Sequence, residues 1–249
     1  MKAIVTYHSI DGSDSVISVD TDTFRRHVEW LCSAGVPVRS LSDLIEPDCA
    51  EGVALTFDDG FENFATDAWP ILSAYGLPAT VFVVTERVGQ DNHWDPGDPR
   101  IPRLPLMDWS TLRDLANAGV EVGAHSHTHP DLPRLAGDPV RVELETCRDA
   151  IAGECGVIPT AFAYPYGHYD RRTREAVEAA GYTVAVTTEM ALLDASPPSY
   201  LELPRLDAFY LKGSGVLERW GTDSFRRFVR LRGGARRLRS ALNRAGLPL

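Results

Sequence analysis

The sequence predicts one α/β domain built as a barrel of parallel strands, and three observations carry that expectation. An amphipathic segment ending in Gly and followed by a short β-rich run recurs along the chain. Eight candidate strands can be counted, at 2–7, 36–38, 53–57, 78–84, 120–124, 160–164, 182–187 and 202–206, and seven or eight suits a closed or nearly closed barrel better than an open sheet. Histidines, aspartates, a tyrosine and an arginine fall at the downstream ends of these runs, where a parallel barrel collects its reactive groups.

The elements follow in order. The helix-ending glycines are Gly35, Gly76, Gly119 and Gly181, each just before a run rich in Val, Thr or aromatic residues. Phe24, Val28 and Leu31 lie at helical spacing and form one apolar face. Thr23, Ser110 and Asp170 are read as the N-caps of the helices that follow them. Residues 89–107, rich in Pro, Asp and Gly, read as a long loop on the catalytic face that contacts substrate. Residues 1–224 are expected to be the barrel and 225–249 a basic tail, with Gly233-Gly234 interrupting any single long helix there. No Gly-x-Gly-x-x-Gly follows a strand, so a dinucleotide site is not expected.

Composition narrows the function classes. The 249 residues carry a net charge of -10, yet all 35 acids lie at or before Asp223 and eight arginines lie between Arg226 and Arg244. An acidic body argues against nucleic acid as partner. The Arg-rich tail, interleaved with Phe228, Val229, Leu231 and Leu238, is either a terminal helix packed on the barrel or a peripheral membrane contact. No window is long and apolar enough for a transmembrane segment, and Met1-Lys2-Ala3-Ile4 does not read as a charged leader with a long apolar core, so a cytoplasmic location is expected. Cys32, Cys49, Cys147 and Cys155 have no Cys-x-x-Cys spacing and read as reduced.

The chemistry concentrates in two places. Ala54-Leu55-Thr56-Phe57 runs into Asp58-Asp59-Gly60, and Val120 to Ala124 runs into His125-Ser126-His127-Thr128-His129. Imidazoles at i and i+4 can point the same way, and one carboxylate from another strand completes a three-ligand set typical of catalytic zinc. Only one of Asp58 and Asp59 need bind the metal, because adjacent residues at a strand end point in different directions. The other is free to take a proton from water. His127 lies between the two ligands and is expected to point away.

These residues give the chain a resemblance to the polysaccharide deacetylases with the NodB-homology domain (carbohydrate esterase family 4). Thr56-Phe57-Asp58-Asp59-Gly60 matches the first motif, His125-Ser126-x-x-His129 the second, and Phe162-Ala163-Tyr164-Pro165-Tyr166-Gly167 resembles the third. The likeness spans roughly residues 2–210. It implies a distorted (β/α) barrel of seven or eight strands and metal-dependent removal of acetyl groups from N-acetylated sugars. Carried over by position, Asp58 is the base and Asp59, His125 and His129 hold a divalent metal, zinc first, with cobalt, manganese or nickel as alternatives. The backbone N–H of Tyr166 helps hold the oxyanion, and Pro165 and Tyr166 border the substrate.

Two departures bear on catalysis. Ala163 stands where the third motif carries an Arg that positions the catalytic aspartate, and no His follows His168 to serve the late Leu-x-His motif. Tyr7-His8 is similar to the start of the poly-N-acetylglucosamine deacetylase-like subgroup, which implies His8 as general acid. Arg205, in the last strand, is the candidate to replace the missing Arg beside Asp58. Trp94 is expected to offer its face to a sugar, while His168 and Asp170 belong to the turn before helix 171–180. Two other readings stay open: hydrolysis of a non-sugar amide or imide on the same barrel, and a catalytically degenerate relative that binds carbohydrate.

Overall fold

A computed structural model describes residues 1–94, 100–194 and 197–244, with side chains up to 238. Its first half contains strands β1 (Lys2–Tyr7), β2 (Ser9–Ile10) and β3 (Ser18–Val19), helices α1 (Thr21–Ser33) and α2 (Leu41–Ile45), strand β4 (Gly52–Phe57), helix α3 (Trp69–Ala74) and strand β5 (Thr80–Val83). The second half contains α4 (Trp109–Asn117), β6 (Glu121–Ala124), α5 (Pro139–Cys155), β7 (Ala161–Ala163), α6 (Arg171–Ala179), β8 (Val184–Val186), β9 (Leu206–Asp207) and α7 (Asp223–Arg244).

Among the described residues seven strands pair in the order β8-β7-β6-β5-β4-β1-β9, every pair parallel. All residues of β1 and β4 are buried, as expected of strands covered on both faces. One segment draws the two edges together. Leu203 bridges Val186 of β8, and three residues later Leu206 pairs with Val5 of β1. The sheet therefore curls into a distorted barrel, with Pro204 and Arg205 at the seam.

The expected strand at 36–38 is not a barrel strand. Val38 makes an isolated bridge to Val53, and Pro37, which has no N–H, contributes only its carbonyl, to the N–H of Val53. Two expected caps shift upstream. Asp20 accepts from the Thr23 N–H and Asp108 from the Thr111 N–H, while Asp170 caps α6 in a reciprocal capping box with Thr173. In the first two an earlier Asp supplies the capping oxygen, and Thr23 and Ser110 fall inside their helices.

The core beneath the β4 end is aromatic. Tyr7 stacks on Phe57 at 5.2 Å, and Phe24 and Phe64 meet Phe57 edge-on at 5.8 and 4.7 Å. Such pairs add about 0.5–1.5 kcal/mol each beyond their buried area, which gives the carboxylates that follow Phe57 a rigid base. The expected face of α1 (Phe24, Val28, Leu31) is buried here. His27 joins it, paired with the Tyr7 hydroxyl at 2.9 Å and the Leu211 carbonyl at 3.2 Å. All four cysteines are free thiols.

The tail is the terminal helix packed on the barrel that the sequence allowed, but the expected interruption is absent. α7 runs without a break through Gly233-Gly234 and crosses the 224/225 boundary inside its first turn. Phe225 and Val229 are buried in the main core. A Cβ at Gly233 would overlap the Met190 carbonyl oxygen, so Gly lets the helix backbone press on the barrel, whereas Gly234 faces open space. Gly233→Ala is therefore expected to destabilise by about 1–3 kcal/mol through overpacking. Gly234→Ala should stabilise by up to about 1 kcal/mol through helix propensity. Thermal denaturation of the two variants checks this opposition in sign.

Candidate metal-hydrolase site

The two aspartates diverge because the backbone turns between them. Asp58 extends the β4 line, its N–H donating to the Tyr7 carbonyl at 2.9 Å, whereas Asp59 takes a left-handed φ of 74°. Aspartate tolerates that conformation better than most residues. Asp58 then faces the barrel seam and Asp59 faces the end of β6.

Asp58 is held by Arg205. Nη1 donates to Oδ1 and Nη2 to Oδ2, both at 2.6 Å, while Nε donates to the Thr187 carbonyl at 2.9 Å and Nη1 also reaches Thr56 Oγ1 at 3.3 Å. The guanidinium is fully buried and lies over the Phe82 ring. Burial alone would raise the Asp58 pKa, but the charge and hydrogen bonds of Arg205, helped by His125 and His8, hold it well below the usual carboxylate range. Asp58 is thus a fixed anion. His8, at the end of β1, sets Nε2 3.7 Å from Asp58 Oδ2.

Asp59 Oδ1 lies 3.4 Å from His125 Nε2 and 3.7 Å from His129 Nε2, with all three residues buried. Ligand atoms of the three lie within 4.8 Å of one another. The His125 Nδ1–H donates to the Ala163 carbonyl at 2.8 Å, which fixes that tautomer and aims Nε2 inward. Burial pushes His129 down to about 3, with the His125 charge adding to the effect. Burial opposes protonation of His125 too, but the Asp59 hydrogen bond and both aspartate charges raise its pKa. Without a cation, the two imidazoles are thus driven in opposite directions, His125 toward the protonated form and His129 away from it. Two inward nitrogens and one carboxylate oxygen form the donor set of a catalytic zinc-type site, and these residues fit a divalent metal.

The loop carrying the histidines is tightly constrained. Ser126 and His129 have φ of 65° and 60°, and the His129 N–H donates to Ser126 Oγ at 3.0 Å. Together with Asp59 and Tyr166 (φ 60°), four of the five non-Gly residues at positive φ among the described residues lie at this site. His127 points away, its Nδ1 3.0 Å from Thr85 Oγ1.

Glu143, which the sequence reading missed, pins this loop from α5. It accepts from the His127 and Thr128 N–H groups at 2.9 and 2.8 Å and from the Thr128 hydroxyl at 2.6 Å. The signal was present: Glu143 falls on the apolar face formed by Val140, Leu144, Cys147 and Ile151. Glu143→Ala would leave two backbone donors unpaired and the loop unconstrained. A zinc titration is expected to show affinity reduced about 10–100-fold; unchanged affinity would show that the loop holds itself.

The same cleft is walled by Trp94 and Tyr166, whose rings lie 4.8 and 4.7 Å from that of His129. Asn92, Ile17 and Thr188 also line it, none singled out in the sequence. Pro165 is buried and absent from the cleft wall, where its neighbours Tyr164 and Tyr166 appear. His168 pairs with Asp131 at 3.3 Å. Asp91 and Pro105 bridge the two ends of the 89–107 loop and Leu106 bridges Phe61, while residues 95–99 lie outside the described residues.

The molecule is a parallel α/β barrel with a candidate cation site and a separately held aspartate at its C-terminal strand ends. The chain belongs to the polysaccharide deacetylase family, whose model matches residues 46–185. It is 27% identical over 192 residues to YxkH of Bacillus subtilis (strain 168), an inferred polysaccharide deacetylase, covering 75% of this chain and 64% of that one. It is 23% identical over 231 residues to the poly-beta-1,6-N-acetyl-D-glucosamine N-deacetylase of Escherichia coli (strain K12), covering 77% and 34%. The chain thus spans less than two thirds of either relative. The Streptococcus pyogenes deacetylase PplD, solved in complex with acetate, shares the fold with a TM-score of 0.71 at 23% identity, over 83% of this chain and 91% of that one. The barrel is the distorted NodB-homology type.

Proposed function

We propose that the chain is a metal-dependent deacetylase that hydrolyses the N-acetyl group of an N-acetylated saccharide. One observation carries the reading: Asp59, His125 and His129 converge beside an Asp58 that is forked by Arg205, in one aromatic-walled cleft. The chemistry a bound divalent cation supplies is Lewis acidity toward the amide carbonyl and an attacking water. Zinc suits the His/His/carboxylate donors best, with cobalt, manganese or nickel as substitutes.

The remaining work falls to side chains and one peptide group. Asp58 accepts the proton of the attacking water. Its low pKa makes it a weak base, offset by the acidity the water gains in the site, and Arg205 keeps it ionised and oriented. His8 faces Asp58 and delivers a proton to the departing amine. The Tyr166 N–H, at a left-handed turn on the cleft wall, donates to the oxygen that becomes negative. Trp94 and the Tyr166 ring offer apolar faces to the sugar. Two chain-wide assignments belong to the same proposal. The barrel to residue 224, with the buried first turns of α7 packed on it, is the catalytic unit, and four unpaired cysteines support a reducing, cytoplasmic setting.

Zinc- or cobalt-loaded protein is expected to release acetate from N-acetylglucosamine oligomers, and Asp58→Asn to slow release by about 10²–10⁴-fold. Release unaffected by that change would overturn the role of Asp58. Turnover of small cyclic amides with every acetylated sugar inert would overturn the substrate class.

A further inference from the structure

The site leaves the Arg-rich helix α7 without a role. Its inner face is spent on folding. Phe225 and Val229 are buried, Gly233 abuts Met190, and Arg232 stacks on Tyr210 at 5.0 Å. Two ion pairs fix its position, Arg236 to Asp207 at 3.2 Å and Arg237 to Glu189 at 3.3 Å. Asp207 ends β9 and Glu189 follows Thr188 of the cleft wall, so α7 lies along the same end of the barrel as the site.

The outer face is different in kind. Arg227, Leu231, Gly234 and Leu238 succeed one another at helical spacing, all exposed, with Arg226 and Arg230 on one flank. Leu231 is 75% and Leu238 62% exposed, among the most exposed large apolar side chains described. Arg226, Arg227 and Arg230 have no acidic partner among the described residues, although the rest of the chain is strongly acidic. No helix among the described residues is long and apolar enough to cross a membrane. Apolar side chains flanked by arginines on a helix already docked by its other face match an interface between water and anionic headgroups.

We propose that the outer face of α7 docks on an anionic phospholipid bilayer, with Leu231 and Leu238 entering the headgroup boundary and Arg226, Arg227 and Arg230 meeting lipid phosphates. Charge complementarity selects this occupant: a second copy of the chain would bring the same arginines into register with one another. Docking sets the rim of the cleft beside the lipid surface. The proposal is independent of the deacetylase reading, because its test reads only vesicle binding.

The full-length protein is sedimented with vesicles of phosphatidylcholine alone and with phosphatidylglycerol added, at low and at high salt. It should pellet with the anionic vesicles, stay in solution with the zwitterionic ones, and be released by salt. Arg227→Gln/Arg230→Gln and Leu231→Ser should each reduce the bound fraction several-fold, with thermal midpoints unchanged because the replaced side chains are exposed. No binding to anionic vesicles, equal binding to both compositions, or full binding by both variants would overturn the proposal. So would a concentration-dependent dimer that Leu231→Ser dissolves.

Discussion

Arg205→Leu is expected to destabilise the protein by about 3–5 kcal/mol at neutral pH and to slow acetate release by about 10²–10⁴-fold. The first effect follows from burial. Asp58 and Arg205 are nearly inaccessible, and removing the guanidinium strands a carboxylate in the barrel interior. The second follows from orientation, since two 2.6 Å hydrogen bonds fix both oxygens of the base. Arg205→Lys should rescue only in part, because an ammonium cannot make the fork. Asp58→Asn/Arg205→Leu should be less destabilised than the sum of the single changes, as expected of partners in one buried pair.

The same pair predicts a pH dependence. The Asp58 pKa is depressed in the folded state, so its contribution is present above the unfolded value of about 3.9 and is lost as pH falls through and below it. In Arg205→Leu, burial raises the carboxyl unopposed by its strongest partner. The acid limb of the rate profile should then move to higher pH, and stability should no longer fall with acid on account of this pair. Thermal melts at pH 7 and pH 3, with rate profiles for both proteins, test the two signs.

His125→Ala is the second large effect, and it should reduce metal-supported turnover to background. It deletes the ligand nitrogen whose tautomer the Ala163 carbonyl fixes, leaving Asp59 and His129 with too few donors for a catalytic zinc site. Zinc at about 1,000 times its Kd should stabilise the wild type by about 4 kcal/mol and leave His125→Ala unchanged. Metal affinity should also fall as pH drops, because His125, raised by its aspartate neighbours, must lose its proton to bind.

Much of this arrangement could be read from sequence because strand ends in a parallel barrel are predictable points of convergence. Asp58, Asp59, His125 and His129 follow apolar runs, and the structure brings them into one cleft. Arg205 was legible as a cation in the closing strand; its direction depends on the seam, where the chain passes from β8 to β1 within three residues. Glu143 was not read, because its partners are two backbone N–H groups and one hydroxyl of a loop on another element, which leave no mark beyond a charge on an apolar helix face. Gly233-Gly234 misled for a related reason. Propensity disfavours helix there, but tertiary contact with Met190 requires a residue without a side chain.

Two neighbouring aspartates are assigned different work, and calorimetric titration of zinc into chelator-treated Asp58→Asn and Asp59→Asn separates their roles. Asp58→Asn should bind one equivalent with near wild-type affinity yet release acetate about 10²–10⁴-fold more slowly, while Asp59→Asn should lose most of its affinity. Retained binding in Asp59→Asn, or binding lost in an Asp58→Asn protein that is still folded, would contradict the division of roles.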